Sequence, residues 1–145
     1  MSSESAQVPF HLAFPVKDIA STRYFYGTFL QCEIGREAER WIDFNFFGHQ
    51  LSAHVAEDQL IDIVTNEVDQ HAVPARHFGC VLPCLSWNQL VERCQQFNIS
   101  FYIAPYTRFE GQIGEQRTFF IQDPSGNFLE FKCFKQFQSL FEKAE

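Results

Sequence analysis

The sequence predicts an α+β fold made of two βαβββ modules, and three observations carry that expectation. The order strand, helix, strand, strand, strand is written twice along 145 residues. Runs with apolar residues at every second position alternate with segments of helical spacing, the two periodicities that separate strand from helix. Each copy opens on a histidine-led strand, "HLAFPV" and "HFGCVL", and closes on a glycine-turned hairpin, "FFGHQLSAH" and "FIQDPSGNFLEF". Identity between the copies is slight, so the order of elements is the signal.

The length suits one compact domain. Hydrophobic residues make up 46% of the chain and include 18 Phe, enough for a substantial core. Residues 1–8 are expected to form a flexible arm, 9–55 the first module, 56–75 a connector, 76–135 the second module and 136–145 a helical tail. The opening "MSSESAQVPF" carries Glu and no apolar core segment, unlike a secretory signal. No apolar run approaches the roughly 20 residues of a membrane span. A net charge of −7 opposes binding to nucleic acid or to an anionic membrane. The five cysteines are odd in number, lack a C-x-x-C pair and fall mostly in apolar surroundings, as core thiols in a reducing cytoplasm do.

Within the first copy, residues 9–16 alternate loosely as a strand. Asp18 can cap a helix over "IASTRYFYGTFL", with Ile19, Tyr26 and Leu30 among its apolar positions, and Gly27 weakens its interior. "CEIGR" supplies a short strand. "RWIDFNFF" alternates cleanly, Ile42, Phe44 and Phe46 on one face and Trp41, Asp43 and Asn45 on the other. "GHQ" is expected to turn the chain into "LSAHV", leaving His49 exposed and idle. Residues 56–75 show little period.

The second copy restarts at residues 76–82. Ser86 and Gln89 make a capping box for "WNQLVERCQQF", where Trp87, Leu90, Val91 and Cys94 share a face, and Asn98 can end the helix in the left-handed conformation. "ISFYIAP", "EQRTFFIQD" and "NFLEFKCF" are three more strands. In the tail, Phe134, Phe137 and Phe141 fall at helical spacing and are expected to pack.

Glu130 is the residue that asks for an explanation. It lies between Leu129 and Phe131 in an apolar strand, and charge is seldom buried without a partner. His11 and His77 open the first strands of the two copies, so the repeat would set them opposite one another across curved sheets, with Glu130 alongside. Two imidazoles and a carboxylate suit a divalent first-row metal with coordination positions left open. The competing reading is that the histidines are hydrogen-bonded structural residues. Without its metal, Glu130 is expected to have a raised pKa through desolvation.

The stretches "HLAFPVKDIASTRYFYGTFL", "HFGCVL" and above all "FFIQDPSGNFLEFK" resemble the vicinal oxygen chelate superfamily, which includes glyoxalase I, fosfomycin- and bleomycin-resistance proteins and extradiol dioxygenases. The resemblance spans about residues 9–135. In "WIDFN", "GHQ" and the "GEQ" loop, the chain looks most like small predicted extradiol-type dioxygenases. This implies curved mixed sheets forming a cup-shaped metal site, with His11, His77 and Glu130 as ligands. It also implies a divalent ion, Fe(II) favoured over Mn(II), Ni(II) or Zn(II), a small-molecule substrate, and a homodimer as one oligomeric option.

The resemblance leaves the reaction open. Glyoxalase I-like isomerases supply a fourth, usually carboxylate, ligand from the last strand of the first copy. Counting from the turn glycine, that position is Ser52, a poor ligand and a poor base. Extradiol enzymes place a tyrosine ten residues before the glutamate, and here that residue is Phe120. His54, on the face of Ser52, is the preferred catalytic base or else a fourth ligand or cavity residue, with His71 a weaker candidate. Asn45, Thr118 and Phe120 are expected to contact substrate, and Asp43 to border the cavity, while Arg117 points away from it. The favoured reading is extradiol-type dioxygenation of a catechol-like molecule. A glyoxalase-like isomerase or lyase and a non-enzymic ligand-binding resistance protein are its rivals.

Overall fold

The structure, a computed structural model, describes residues 7–60 and 64–143, which form two compact units divided between residues 60 and 61. Most of the expected arm, residues 1–6, lies outside the described residues. No helix among them is long and apolar enough to cross a membrane.

In the first unit, β1 (His11–Val16) leads into α1 (Ile19–Thr22), which runs on as a π-helical segment, Arg23–Phe29. Asp18 caps α1 by accepting the Ser21 N–H at 2.7 Å. The wider π turn departs from the plain α-helix expected around Gly27, and it brings Phe25, Tyr26 and Phe29 together into the core. β2 (Glu33–Ala38), β3 (Trp41–Phe46) and β4 (His49–Val55) complete the unit. The sheet order is β1-β4-β3-β2, with β1 parallel to β4 and the other pairs antiparallel, so the sheet is mixed and open. Ile42, Phe44 and Phe46 are buried on the helix side, where Tyr26 meets Phe44 at 5.3 Å between ring centroids. His11, Ala13, Gln50, Ser52, Asp43 and Asn45 therefore project from the opposite face.

The turn between β3 and β4 is tighter than expected. Phe47 and Gly48 both have positive φ (52° and 90°), so two residues close the hairpin and His49 already pairs with Phe46. His49 is not idle. Its Nδ1 accepts the Phe10 N–H at 2.7 Å and fastens the approach to β1 against β4.

Residues 56–75 hold more than a connector. β5 (Thr65–Val68) and β6 (His71–Pro74) form a hairpin whose turn residues, Asp69 and Gln70, take positive φ without a glycine. The usual Asn-Gly or Asp-Gly signal is missing, which is why the period looked weak. Asp69 accepts hydrogen bonds from Tyr106 (3.0 Å) and Arg108, and Tyr102 donates to the Ala72 carbonyl (2.7 Å). These bonds fasten the hairpin to the next strand but one.

The second unit repeats the first: β7 (Phe78–Val81), α2 (Cys84–Gln96), β8 (Phe101–Arg108), β9 (Gln116–Gln122) and β10 (Phe128–Phe134), in sheet order β7-β10-β9-β8. α2 starts two residues before the expected capping box. Pro83 precedes it and accepts the Trp87 N–H, so Ser86 and Gln89 lie inside the helix and cap nothing. Asn98 adopts φ 53° just beyond its end, as the sequence suggested. Trp87 is buried against Phe119 and donates its indole N–H to the Phe131 carbonyl at 2.8 Å, while Arg117 stacks on its ring at 4.6 Å. The tail is a short 3₁₀ turn, Phe137–Phe141, and does not pack as expected: Phe134 is buried, whereas Phe137 and Phe141 are 58% and 88% exposed. The five cysteines form no disulfide, and burial pushes the Cys32 and Cys94 thiols up to about 12, far from reactivity.

One close approach governs the site. A Cβ on Gly79 would stand 1.6 Å from the Glu130 carbonyl oxygen, so only glycine lets β7 lie this close to β10. Gly79→Ala is expected to lower stability by about 3 kcal/mol, read by urea denaturation, and to weaken divalent-metal binding. A variant with wild-type stability would mean that the strands can part freely.

Candidate metal centre

The helix-free face of the second sheet gathers four of the residues singled out in the sequence. Antiparallel register sets Glu130 beside Phe120 and Lys132 beside Thr118, and parallel register sets Glu130 beside Gly79. Glu130 is 9% exposed. The Thr118 hydroxyl donates to its Oε2 at 2.6 Å, and His77 Nε2 lies 3.2 Å from Oε1. Phe120 meets the His77 ring edge-on at 5.0 Å between centroids. Around this pair lies a cavity of about 220 Å³, lined by His77, Gly79, Cys80, Val81, Glu130 and Lys132.

Both nitrogens of His77 face acceptors. Nδ1 lies 2.7 Å from the Pro74 carbonyl oxygen, which can only accept, so Nδ1 carries a proton. A neutral imidazole then has a lone pair at Nε2, pointing at a carboxylate. The arrangement is satisfied either by a second proton or by a cation held between Nε2 and Oε1. Two donors bound about 2.1 Å from one ion stand about 3 Å apart, close to the separation here. A carbonyl fixing the far nitrogen is also the usual support of a ligating histidine. His77 and Glu130 thus fit a divalent metal.

They are two ligands, however. Among the described residues, no three His, Cys, Asp or Glu side chains converge. His11 opens β1 in the first unit, on the helix-free face of its sheet, and is exposed.

The charge on the pair runs against one expectation. Desolvation, the largest single influence, does push the Glu130 carboxyl up, but hydrogen bonds from His77 and Thr118, with Lys132 nearby, outweigh it and leave the pKa lowered. The hydrogen bond to Glu130 raises the His77 pKa, against desolvation.

The first unit carries a related face with different chemistry. Placing His11 on His77 carries Ala13 onto Gly79. Ala13 pairs with Ser52 and Gly79 with Glu130, so Ser52 holds the Glu130 position, as the count from the turn glycine indicated. By the same register Asp43 holds the Phe120 position and His54 that of Lys132. Buried Ser52 donates to Asp43 Oδ1 at 2.6 Å, and Gln50 reaches Oδ2 at 3.4 Å. Asp43, Asn45, Gln50 and Arg36 line a cavity of about 580 Å³. Asn45 is exposed, and its Oδ1 accepts the Gly48 N–H. His54 is exposed and four residues along β4 from Gln50, the partner of His11, a distance of about 13 Å. His71 sits in the β5–β6 hairpin with its ring 4.8 Å from that of Tyr106.

Two residues of these faces were undervalued in the sequence. Asp43 meets its partner Ser52 only across the strand pair, although alternation with Ile42 and Phe44 already sets it on the site face. Gln116 shares a face with Thr118 and is 7% exposed, and its Oε1 has no hydrogen-bond partner among the described residues. Period-two counting from Thr118 would have found it.

The raised pKa of His77 means that its contribution to stability is complete below about pH 6.5 and is lost as pH climbs through the higher folded value. The lowered pKa of Glu130 means the reverse: its contribution is complete above about pH 4.3 and is lost as pH falls through the lower folded value. Metal-free protein is therefore expected to be most stable between these limits and to weaken on the alkaline side through His77. Denaturation midpoints at pH 5.5 and pH 8 would show the loss in wild type, and His77→Gln should flatten it. An unchanged slope in that variant would place the titrating group elsewhere.

No protein-family model and no curated protein matches the chain. Solved structures do. A glyoxalase/bleomycin resistance protein/dioxygenase from Alicyclobacillus acidocaldarius is 35% identical, with a TM-score of 0.76 over 93% of this chain and 97% of that one. A lactoylglutathione lyase from Agrobacterium tumefaciens (13% identity, TM-score 0.66, 97% and 100% covered) shares the fold. So does the fosfomycin resistance protein FosX from Listeria monocytogenes (14%, 0.66, 89% and 93%). With mixed open sheets, a doubled βαβββ order and a relative this similar over nearly its whole length, the chain belongs to the glyoxalase/bleomycin resistance protein/dioxygenase family of the vicinal oxygen chelate superfamily.

Proposed function

We propose that the protein is a metal-dependent enzyme that chelates two adjacent oxygens of a small molecule, and that its reaction is extradiol-type dioxygenation of a catechol-like substrate. The observation that carries this reading is the His77–Glu130 pair, in which a proton-bearing Nδ1 leaves Nε2 facing a buried carboxylate. His11, His77 and Glu130 are the proposed ligands and Fe(II) the favoured ion. When bound, a divalent ion supplies Lewis acidity toward the substrate oxygens and, as Fe(II), redox chemistry toward O₂.

The chain's own residues prepare that chemistry. Thr118 holds one carboxylate oxygen of Glu130 and leaves the other available. The Pro74 carbonyl fixes the ring of His77. Phe120, buried against that ring, backs it from below the cavity wall, but it has no proton to give. An acid–base group must then be another residue. His54 is one candidate, and the Asp43–Ser52 pair is another.

The Asp43–Ser52 pair also favours a second reading. It returns a carboxylate to the first copy, from β3 rather than β4, and a glyoxalase-like isomerase or lyase needs such a group to shuttle a proton.

His11→Ala, His77→Ala and Glu130→Ala are each expected to abolish stoichiometric binding of Fe(II) or Mn(II) while the circular dichroism spectrum stays unchanged. Three metal-replete variants would refute the ligand set. Oxygen uptake with a catechol panel separates the reactions, because turnover that persists under argon belongs to an isomerase or lyase. Loss of the acid–base group should lower turnover by about 10²–10⁴ at constant metal content. Whether Asp43→Asn or His54→Ala shows that loss identifies the group. Stoichiometric ligand binding without turnover of any substrate would favour a sequestering role.

A further inference from the structure

Lys132 stands one row beyond Glu130 on the same face of β10, beside Thr118 on one neighbouring strand and Val81 on the other. Its side chain is 31% exposed and lines the cavity around His77 and Glu130. Its ammonium lies 3.9 Å from Glu130 Oε1, the same oxygen that faces His77 Nε2, while Oε2 is occupied by Thr118. One carboxylate oxygen is thus shared between an imidazole and an ammonium.

We infer that Lys132 recognises an anionic group on the substrate, so that the site selects chelating molecules carrying a carboxylate beyond the two chelating oxygens. The inference rests on the metal-binding reading above. Once an ion takes Oε1, the negative charge opposite Lys132 is spent on the ion, and the ammonium is left beside a divalent cation in a half-buried cavity. Like charges at such range repel strongly where water is scarce, and a neutral substrate does nothing to relieve them. A ligand with a pendant carboxylate does: its chelating oxygens meet the ion and its carboxylate meets the ammonium.

The surroundings support this assignment. Arg108, on β8, is already matched by Asp69, so it does not compete for the anion. In a chain of net charge −7, an ammonium at the cavity wall stands out against the overall field. The repeat places a second basic side chain, His54, at the equivalent position of the first unit. If Lys132 were only a counter-ion for Glu130, its loss would change the empty protein and leave ligand choice untouched.

The test is titration calorimetry on the full chain under argon, comparing wild type, Lys132→Met and Lys132→Arg. Mn(II) binding to metal-free protein comes first, and Lys132→Met should bind the ion severalfold more tightly because a like charge has gone. With Mn(II) loaded, wild type should bind 3,4-dihydroxybenzoate about tenfold more tightly than catechol, Lys132→Met should bind the two equally, and Lys132→Arg should keep the preference. 2-Oxoglutarate against 2-oxopentanoate gives the same comparison without a catechol, since both chelate through the 2-oxo and C1 carboxylate oxygens and only the first carries a further carboxylate. If wild type rejects both catechols yet prefers 2-oxoglutarate, and Lys132→Met abolishes that preference, the catechol reading fails and the role of Lys132 stands. No preference in wild type within either pair, or a preference that survives in Lys132→Met, overturns the inference.

Discussion

A carboxylate that is almost wholly out of water and yet stays charged is the constraint around which the second unit is arranged. Glu130 keeps its charge because Thr118 donates to one oxygen while His77 and Lys132 face the other. Each of those positions depends on a different part of the fold. Thr118 is supplied by the register of β9 on β10, and Lys132 by the pleat of β10 itself. His77 arrives from the start of β7, which lies against β10 only because Gly79 has no side chain. On the reverse face Trp87 bonds the Phe131 carbonyl and seats α2 on the same strand. The core side of β10 is thus rigidly packed, and the polar side inherits that rigidity.

The two units show how one backbone plan carries two chemistries. Each has a first strand parallel to its last, a helix on one face and polar residues on the other. At matched positions the second unit has Glu130, Phe120 and Lys132, and the first has Ser52, Asp43 and His54. Hydroxyl and carboxylate have exchanged strands: Thr118 on β9 serves Glu130 on β10, whereas Ser52 on β4 serves Asp43 on β3. The same short hydrogen bond therefore recurs in both copies with the acid in a different place. A lactoylglutathione lyase and a fosfomycin resistance protein share this fold, so what sets such proteins apart lies in side chains rather than in the backbone plan.

The motif that identifies the family contributes structure rather than chemistry over most of its length. In "DPSGN", buried Asp123 accepts the N–H groups of Ser125 and Asn127 and the Asn127 amide, and Gly126 turns with φ 86°. That loop sets the register that delivers Glu130 to Phe120. A recognisable stretch can thus point to a site while standing outside it.

Alternation along the chain makes eight of the ten described strands, their order, the repeat and the side chains that share a face legible, while the β5–β6 hairpin stays hidden in residues 56–75. Those properties follow from a period of two along an extended chain, and every residue carries its own part of that signal. Glu130, Thr118 and Phe120 could be grouped on that basis, and Ser52 could be matched to Glu130 from a turn glycine. Tertiary structure alone decided what each polar group meets. It paired Asp43 with Ser52, gave His49 the Phe10 N–H, docked the β5–β6 hairpin on β8 through Asp69 and turned Phe137 and Phe141 outward. It also reversed the expected direction of the Glu130 pKa shift, since desolvation is legible from apolar neighbours in the chain but the donors that overcome it arrive from other strands. Alternation is a local property, whereas a hydrogen-bond partner is a neighbour in space and is fixed only when the strands have found their register.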